Sequence, residues 1–371
     1  MSTRSETFEI AGLQIGGGRM CVIAEIGTNH DGSLDKAKEM ICASAESGAD
    51  AVKFQHFRAE ECYPPNIGLV DVPGGRIDFL EYLRRTEMPA AWLPELRNEC
   101  DRCGVAFLAS PFDVECAREL HECGVAAFKV ASSEVTHFPM LDVIAGTGRP
   151  VVMSTGYSTL AEVDEAVRRL EERGCGGTAL LHCVSAYPTP PEACNLNVVP
   201  AMKAIFGVPT GFSDHTQDIS DVPRLLAAIA GDVIEKHFTL SRSEEGPDHP
   251  FAIEPRQFSQ MVEGIRGVES WPESRKKKFA GEERFKEILG CSVKRVSPLE
   301  KEIYPCEKRS IRARRNIARG ETLAAGSIGV LRFTRNSKQG ISPRYYSLLP
   351  GKKTARAVAQ GDGVCWEDLL A

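Results

Sequence analysis

Between residues 20 and 270, short apolar runs alternate with amphipathic stretches. Each run rich in β-branched residues precedes a polar turn and a segment with apolar residues at helical spacing, such as Val163, Val167 and Leu170. This pattern predicts eight strands, at 21–26, 51–57, 106–110, 127–131, 151–154, 179–184, 210–213 and 232–239. It also predicts a helix after each strand, at 35–47, 91–103, 114–123, 138–145, 160–173, 198–206, 219–229 and 255–268.

Eight strand–helix units in roughly 250 residues predict a (β/α)8 TIM barrel of the α/β class. The competing fold is an open doubly wound sheet, which predicts a Gly-x-Gly-x-x-Gly loop after the first strand. The chain instead has Gly27-Thr28-Asn29-His30-Asp31-Gly32 at that position. The barrel is therefore the favoured fold.

The pattern changes after residue 270. A charged, irregular stretch follows, and we interpret residues 271–295 as a solvated linker between a barrel domain at 1–270 and a second domain at 296–371. In this last part, short β-like runs alternate with glycine-containing turns and helical spacing is scarce. The sequence therefore predicts a small, mostly β C-terminal domain.

Composition excludes several classes of function. The 371 residues carry a formal net charge of −6, which argues against a general nucleic-acid binder. No apolar run approaches the ~20 residues of a membrane span, and residues 1–10 have no signal-peptide core. Thirteen cysteines without a repeating spacing indicate reduced thiols, so we expect a cytoplasmic protein. The one Cys-x-x-Cys, Cys100 and Cys103, is interpreted as structural or as chance rather than as a redox or metal motif.

Polar residues occur where the predicted strands end, which is where the active sites of TIM barrels lie. Two lysines and several hydroxyls are expected to meet there and to hold a small anion through a phosphate or carboxylate. The residues at these ends include Glu25, Lys53, Gln55, Ser110, Lys129, Ser132, Glu134, Ser154, Ser185, Tyr187, Ser213, His215, Glu235 and His237.

Two of these residues are candidate metal ligands. His215 and His237 end consecutive predicted strands and would be neighbours in a barrel. Paired imidazoles suit Zn, Mn, Fe or Ni, and the alternative is a hydrogen-bonding role. Glu25 is a candidate for acid–base work or sugar recognition, the alternative being a structural partner of Lys53. Asp248 follows the last strand in a tight loop, which either reaches over the rim or forms a plain turn.

These residues lie in motifs that resemble those of the sialic acid synthases and their relatives that make legionaminic and pseudaminic acids. The motifs follow one another in order along nearly the whole chain. They are Ile23-Ala24-Glu25-Ile26-Gly27-x-Asn29-His30, Ala51-Val52-Lys53-Phe54-Gln55, Phe128-Lys129-Val130-Ala131-Ser132-x-Glu134, Met153-Ser154-Thr155-Gly156, Leu181-His182-Cys183-x-Ser185-x-Tyr187-Pro188, Ser213-Asp214-His215-Thr216, Ile234-Glu235-Lys236-His237 and Gly246-Pro247-Asp248-His249. The segment from Arg309 to Pro343 resembles the antifreeze-like (SAF) domain of these enzymes.

The resemblance implies condensation of phosphoenolpyruvate with the open-chain aldehyde of an N-acyl amino sugar, with phosphate leaving by C–O cleavage. It implies that phosphoenolpyruvate is held by Lys53, Ser110, Lys129, Ser132, Ser154, Ser185 and Ser213. It places the sugar against Glu25, Gln55, Tyr187 and Asp248, and a divalent ion such as Mn²⁺, Mg²⁺ or Co²⁺ on His215 and His237. Glu134 would assist proton transfer, and Glu25, Lys53 and Lys129 would share the catalytic work.

The resemblance also implies a domain-swapped homodimer, in which an arginine of the small domain contacts the sugar in the partner subunit. Here Leu331-Arg332-Phe333-Thr334 replaces the family's Lys-Arg-Pro-Gly, so this arginine is either Arg332 or Arg335. Positions 305–309 lack the aromatic residue that some sialic acid synthases use near the acyl group. The acceptor is thus either N-acetylmannosamine or another sugar, such as a di-N-acetyl deoxyhexose.

Two other functions remain open on the sequence. One is a Schiff-base aldolase with Lys53 or Lys129 as nucleophile, which the histidine pair disfavours. The other is a non-catalytic sugar-binding protein of surface-polysaccharide synthesis. The intact polar rim disfavours it, because buried charged groups are costly to keep without a use.

Overall fold

The computed structural model describes residues 5–65, 67–72, 75–332 and 338–370. A closed barrel of eight parallel strands forms its centre, so the predicted fold is confirmed. In barrel order, the strands at 178–183, 210–214, 233–237, 21–27, 51–56, 106–111, 127–130 and 151–154 pair side by side. The strands are β1 (Phe8–Ile10), β2 (Leu13–Ile15), β3 (Cys21–Gly27), β4 (Ala51–His56), β5 (Leu69–Val72), β6 (Gly75–Asp78), β7 (Ala106–Pro111), β8 (Ala127–Val130), β9 (Val151–Ser154), β10 (Thr178–Cys183), β11 (Thr210–Asp214), β12 (Val233–His237), β13 (Ser310–Ala313) and β14 (Ile328–Leu331).

Helices follow the barrel strands and cover them from outside. Buried residues at helical spacing, such as Val163, Val167 and Leu170, face the strands in one continuous core. The α-helices are α1 (Leu34–Glu46), α2 (Ala59–Cys62), α3 (Phe79–Arg84), α4 (Leu93–Cys103), α5 (Val114–Cys123), α6 (Phe138–Gly146), α7 (Leu160–Glu172), α8 (Val198–Phe206), α9 (Asp221–Ala228), α10 (Pro255–Glu269), α11 (Glu273–Ala280), α12 (Lys286–Leu289) and α13 (Tyr304–Glu307).

The bottom of the barrel, at the N-terminal ends of its strands, is closed by the antiparallel hairpin β1–β2. Ile10 and Ile15 of the hairpin pack with apolar side chains from inside the barrel, such as Leu108 and Val152. This hairpin was not predicted, because its two strands have only three residues each. The interior is therefore apolar towards the hairpin, and its polar side chains lie at the opposite end.

The segment after the barrel differs from the irregular linker that we expected. It contains helix α11, whose buried residue Phe279 packs on Trp271, and the short helix α12. The C-terminal part has two short antiparallel strands, β13 and β14, around a small apolar core with Ile311 and Leu323. This agrees with the predicted mostly β region. Nowhere in the described residues is there a helix that meets the length and apolarity needed to cross a membrane.

Candidate active site

A cavity of about 480 Å³ opens at the C-terminal ends of the barrel strands. Fourteen of the fifteen residues that the sequence placed at the site line this cavity. They are Glu25, Lys53, Gln55, Ser110, Lys129, Ser132, Ser154, Ser185, Tyr187, Ser213, His215, His237, Asp248 and Arg332. The fold thus brings together side chains that are up to 307 positions apart in sequence, from Glu25 in the barrel to Arg332 in the C-terminal domain.

Because neighbouring barrel strands pair in parallel, these side chains lie at the same height along the barrel axis. In the register of the barrel, Glu25 pairs with Lys53 on one side and with His237 on the other. Likewise, Ser213 pairs with Glu235. Neighbouring strands that end in register deliver their last side chains to the same rim, which is why a strand-by-strand prediction could assemble this set.

The floor of the cavity is a network of two lysines and two glutamates. Lys53 Nζ lies 2.8 Å from Glu25 Oε2 and 3.8 Å from Glu235 Oε1, and Lys129 Nζ lies 3.5 Å from Glu235 Oε1. All four side chains are buried. Burial lowers the pKa of Lys53, but Glu235 and Glu25 outweigh it, so the pKa lies above the usual lysine value. For Lys129 burial prevails and lowers the pKa.

Hydroxyl groups surround this network. Lys129 donates to Ser154 Oγ at 2.7 Å, Lys53 donates to Ser110 Oγ at 3.3 Å, and Ser213 donates to Glu235 Oε1 at 3.1 Å. Serine hydroxyls and ammonium groups are donors for phosphate and carboxylate oxygens. The arrangement therefore offers several donors to the oxygens of a phosphate or carboxylate.

Gly156 leaves space for the hydroxyl groups of Ser132 and Ser185 to face the cavity together. Its backbone N–H donates to Ser132 Oγ at 3.0 Å. A Cβ atom at this position would overlap the Ser185 hydroxyl and would lie 2.9 Å from Ser132 Oγ. The residue after Thr155 therefore has to lack a side chain for Ser132 and Ser185 to face the cavity together.

We expect Gly156→Ala to raise the KM for the anionic substrate about tenfold, because one hydrogen bond to a charged group contributes ~1.5–3 kcal/mol. Steady-state kinetics with both substrates varied measures this. The matched control is Gly146→Ala in helix α6, where an added Cβ meets no atom of the described residues within 4 Å. Equal KM values for Gly156→Ala and for the unsubstituted chain would show that Ser132 and Ser185 do not bind the anion.

His215 and His237 lie side by side at the rim, with ring centroids 5.5 Å apart. The backbone carbonyl of Val184 lies 3.0 Å from His215 Nδ1 and orients that ring, which leaves Nε2 for another partner. His237 Nδ1 is buried and has no hydrogen-bond partner among the described residues. Burial, followed by the charges of His215 and Lys53, lowers the pKa of His237 well below the usual histidine value. A neutral, buried imidazole with an unused lone pair fits a metal ligand.

Among the described residues, three other groups of side chains have the residue types of a metal site, but a neighbouring cationic side chain already contacts each group. Arg102 donates to Cys42 in the group Cys42, Glu99 and Cys103. Arg58 pairs with Glu119 in the group His56, Cys116 and Glu119, and Lys36 pairs with Asp31 in the group Asp31, Glu244 and His249. Cys100 and Cys103, the two residues of the Cys-x-x-Cys, are both free thiols, and Cys103 Sγ lies 3.1 Å from Cys42 Sγ.

The outer part of the cavity has groups suited to a polyhydroxylated substrate. Gln55 donates to Glu25 Oε1 at 3.0 Å, and burial raises the pKa of Glu25. The Tyr187 ring lies 4.2 Å from the His215 ring and is half exposed towards the opening. Asp248 reaches into the cavity, and burial raises its pKa to about 7, so the loop after β12 is more than a plain turn.

Sequence reasoning missed one wall of the cavity. Helix α3 lies in an insertion between β4 and β7 and contributes Phe79, Tyr82 and Leu83. The segment has only two turns of helix and no clear periodicity, so its role could not be read from spacing. Ile303 and Glu307, which lie before the first strand of the C-terminal domain, also line the cavity.

Arg332 is the one predicted residue that comes from the C-terminal domain. Its guanidinium donates to Tyr63 Oη and to Ser133 Oγ, each at 2.7 Å, and lies 3.0 Å from Glu307. The alternative, Arg335, lies outside the described residues.

Glu134 has a different setting from the one expected of a proton carrier. It lies behind the cavity wall, with its carboxylate 2.6 Å from Arg309 Nε and 3.1 Å from Arg332 Nη2. Burial raises its pKa, but the two arginines outweigh burial and bring the pKa below the usual glutamate value. A carboxylate held ionised between two guanidinium groups is poorly suited to accept a proton.

Known proteins share this architecture along the whole chain. The NeuB family matches residues 40–277 and the SAF domain matches residues 308–370. The spore coat polysaccharide biosynthesis protein SpsE of Bacillus subtilis is 36% identical over 98% of this chain and 97% of its own length, and its crystal structure superposes with a TM-score of 0.85, covering 98% of this chain and 99% of that one. The N,N'-diacetyllegionaminic acid synthase of Campylobacter jejuni is 32% identical over 89% of this chain and 94% of its own length. The chain therefore belongs to the NeuB family, the family of sialic acid synthases and their relatives, and carries a C-terminal SAF domain.

Proposed function

We propose that the protein condenses phosphoenolpyruvate with the open-chain aldehyde of an N-acyl amino sugar to give a nonulosonic acid and phosphate. Carbon 3 of phosphoenolpyruvate bonds to the aldehyde carbon, water adds to carbon 2, and the C–O bond to phosphate breaks. A hexose acceptor then yields a nine-carbon 2-keto acid. The observation that carries the proposal is the adjacency of the lysine–serine floor and the histidine pair in one cavity.

Phosphoenolpyruvate binds at the floor in this proposal. Its phosphate and carboxylate add negative charge beside Lys53 and Lys129, which otherwise share Glu25 and Glu235. Ser110, Ser132, Ser154, Ser185 and Ser213 donate to its oxygens. Donors already fixed by the barrel need no reorganisation when charge develops on the leaving phosphate.

A divalent metal, Mn²⁺ in our proposal, is held by His215 and His237. When bound, it supplies Lewis-acid polarisation of the aldehyde oxygen. The residues around it hold the acceptor: Glu25, Gln55, Tyr187 and Asp248 face its hydroxyl groups. The barrel keeps both reacting carbons in one cavity, which removes much of the entropic cost of a bimolecular step.

Glu25 is the side chain we assign to proton handling. Its pKa is raised mainly by burial. Lys53 Nζ lies 2.8 Å from Glu25 Oε2, where it can exchange a proton with this carboxylate or stabilise its negative charge. The apolar wall of Phe79, Leu83 and Ile303 gives the acyl methyl of the acceptor a surface to pack on. Both N-acetylmannosamine and a di-N-acetyl deoxyhexose fit this description, and the second agrees with the name of the Campylobacter relative.

The test incubates the purified protein with Mn²⁺, phosphoenolpyruvate and a panel of N-acyl amino sugars, and follows phosphate release and product mass. Phosphoenolpyruvate labelled with ¹⁸O in its bridging ester oxygen should give ¹⁸O-labelled phosphate, as C–O cleavage requires. Labelled 2-keto acid, or no turnover across the panel with folded, metal-loaded protein, would contradict the proposal. Borohydride trapping with pyruvate would instead indicate a Schiff-base aldolase.

A further inference from the structure

Two of the cysteine side chains touch each other on the outside of the barrel. Cys42 Sγ, in helix α1, lies 3.1 Å from Cys103 Sγ, at the end of helix α4. All thirteen cysteines lie in the described part of the chain as free thiols, and this is the one sulfur–sulfur contact among them. Only about 1 Å separates this distance from the ~2 Å of a disulfide bond. The two sulfur atoms are therefore placed to be linked.

The two helices are held side by side by contacts that do not involve the thiols. Ile41 of α1 and Leu96 of α4 are fully buried in the same apolar core, and Lys38 Nζ lies 2.5 Å from Glu95 Oε2 across the surface above them. The folded chain thus keeps Cys42 beside Cys103 before any bond forms. Two reacting groups held together in this way react far faster than the same groups free in solution.

Arg102 and Glu99 fix the side chain of Cys42. Arg102 Nη2 lies 2.9 Å from Cys42 Sγ and donates to Glu99 Oε1 at 2.5 Å, while the Cys42 thiol donates to the same oxygen at 3.1 Å. The guanidinium group brings a positive charge to the group formed by Cys42, Glu99 and Cys103 and disfavours a metal cation there. Covalent linkage of the two thiols is the chemistry that remains.

Cys103 belongs to the Cys-x-x-Cys of the sequence, but the structure gives it a partner outside that motif. Cys100 is fully buried in the apolar core, whereas Cys42 and Cys103 are both partly exposed. A dissolved oxidant reaches a partly exposed thiol, and a thiol buried in apolar surroundings is inert. Contact and exposure therefore both select Cys42, and not Cys100, as the partner of Cys103.

The thiol pair lies at the end of the barrel opposite the cavity. Cys103 ends helix α4 just before strand β7 begins at Ala106, and the chain turns there through Gly104, whose φ is +73°. The other end of β7 carries Ser110, which lines the cavity. A bond between Cys42 and Cys103 therefore leaves the cavity open.

We propose that Cys42 and Cys103 are a site of reversible oxidation, at which a low-molecular-weight disulfide converts the two thiols into an intramolecular disulfide that stabilises the barrel. The inference goes beyond the proposed function and does not depend on it. It also gives the second cysteine of the Cys-x-x-Cys a role that the spacing of the motif does not indicate.

The reaction consists of two thiol–disulfide exchanges. Cys103 loses its proton to water, and its thiolate attacks one sulfur of the small disulfide, so that one thiolate leaves and a mixed disulfide remains. Cys42 then loses its proton to water, attacks Cys103 Sγ and displaces the second thiolate. The cysteines give up two electrons and two protons, and the small disulfide is released as two thiols. Burial, followed by the contacts with Cys103 and Glu99, raises the pKa of Cys42 to about 12, so we assign the first attack to Cys103.

The bond closes a long loop of the chain, from residue 42 to residue 103. This loop contains strand β4 and the insertion with helix α3. A crosslink around a loop of this length removes conformational freedom from the unfolded chain and so favours the folded one. We expect oxidation to raise the melting temperature by about 5 °C and dithiothreitol to reverse the rise.

The first test maps the disulfide in the native protein. The purified full chain is incubated with oxidised glutathione, alkylated and digested with trypsin without a reductant, which cleaves between Cys100 and Cys103. We expect one linked pair that joins the peptide of residues 39–53 to that of residues 103–118, with fragment ions assigning the bond to Cys103 rather than Cys116. Dithiothreitol should remove it. A link through Cys100, or no intramolecular link at all, would overturn the proposal.

The second test compares the melting temperature of serine variants before and after oxidation. Cys42→Ser and Cys103→Ser should show no rise with oxidised glutathione. The matched control is Cys123→Ser, because Cys123 is also partly exposed and also ends a helix, α5, before a glycine with positive φ, yet no other sulfur contacts it among the described residues. This control should show the full rise of the unsubstituted chain. An equal rise in Cys103→Ser would show that another bond is responsible.

Zinc alone is the probe for the competing use of the same side chains. We expect the protein to bind no zinc at Cys42 and Cys103, so that an equimolar amount of Zn²⁺ leaves their rate of alkylation unchanged. Zinc that protects both thiols from alkylation in the unsubstituted chain and in Cys123→Ser, but does not protect Cys42 in Cys103→Ser, would show a metal site and would overturn the assignment to reversible oxidation.

Discussion

Replacing His215 or His237 with alanine is expected to remove the bound divalent ion and to lower kcat roughly a thousandfold, since Lewis-acid polarisation contributes several kcal/mol. Both rings lie at the cavity rim, where their loss disturbs little packing of the apolar core. Metal content by atomic emission, kcat with added Mn²⁺ and circular dichroism measure the three parts of this prediction. Chelation of the unsubstituted protein should reproduce the kinetic loss, and Mn²⁺ should reverse it.

The matched control is His182→Gln. His182 is also buried, on the neighbouring strand β10, but its Nε2 bonds the carbonyl oxygen of Cys194 and it lies outside the cavity lining. We expect this variant to keep its bound metal and its kcat, even if its melting temperature changes. Normal metal content in either His215→Ala or His237→Ala would contradict the assignment of these two ligands.

Replacing Lys129 with glutamine is expected to lower kcat/KM for phosphoenolpyruvate by about a thousandfold. Truncating one member of a buried, hydrogen-bonded charge pair costs ~2–5 kcal/mol, and this lysine faces both Glu235 and the proposed substrate. Initial rates at varied phosphoenolpyruvate, together with calorimetric binding of the same ligand, measure the loss.

For comparison, Lys203→Gln removes a half-exposed lysine that pairs with Asp232, far from the strand ends that form the cavity. It should leave kcat/KM unchanged. If Lys129→Gln binds phosphoenolpyruvate as tightly as Lys203→Gln does, then the floor of the cavity is not the phosphoenolpyruvate site.

The barrel was predictable because its strands carry a strong signal. Each is an apolar run closed by a polar residue, and the eight predicted strands agree with the structure to within about two residues at each end. The polar ends then converge because parallel strands finish at one rim. This single geometric fact accounts for thirteen of the fourteen predicted residues that line the cavity, since the fourteenth, Arg332, comes from the C-terminal domain.

Other features had no periodic signal to reveal them. The pairing of Arg309 with Glu134 joins residues 175 positions apart, and each looks like an ordinary charged residue in sequence. Helix α11 lies in a run of basic residues, and Phe279 is its one buried residue, so its sequence is typical of a solvated segment. The short helix α3 forms a cavity wall only because of its place between β4 and β7.

The hairpin β1–β2 closes the N-terminal end of the barrel, and this closure has a kinetic consequence. Ile10 and Ile15 close that end of the barrel, so in the proposed reaction both substrates and both products would enter and leave through the opening at the C-terminal ends of the strands. Lys129 and Ser154 are almost fully buried, whereas Tyr187 and Asp248 are more exposed to solvent. If phosphoenolpyruvate and the sugar bind as we propose, we therefore expect an ordered mechanism in which phosphoenolpyruvate binds before the sugar, and product-inhibition kinetics measures this order.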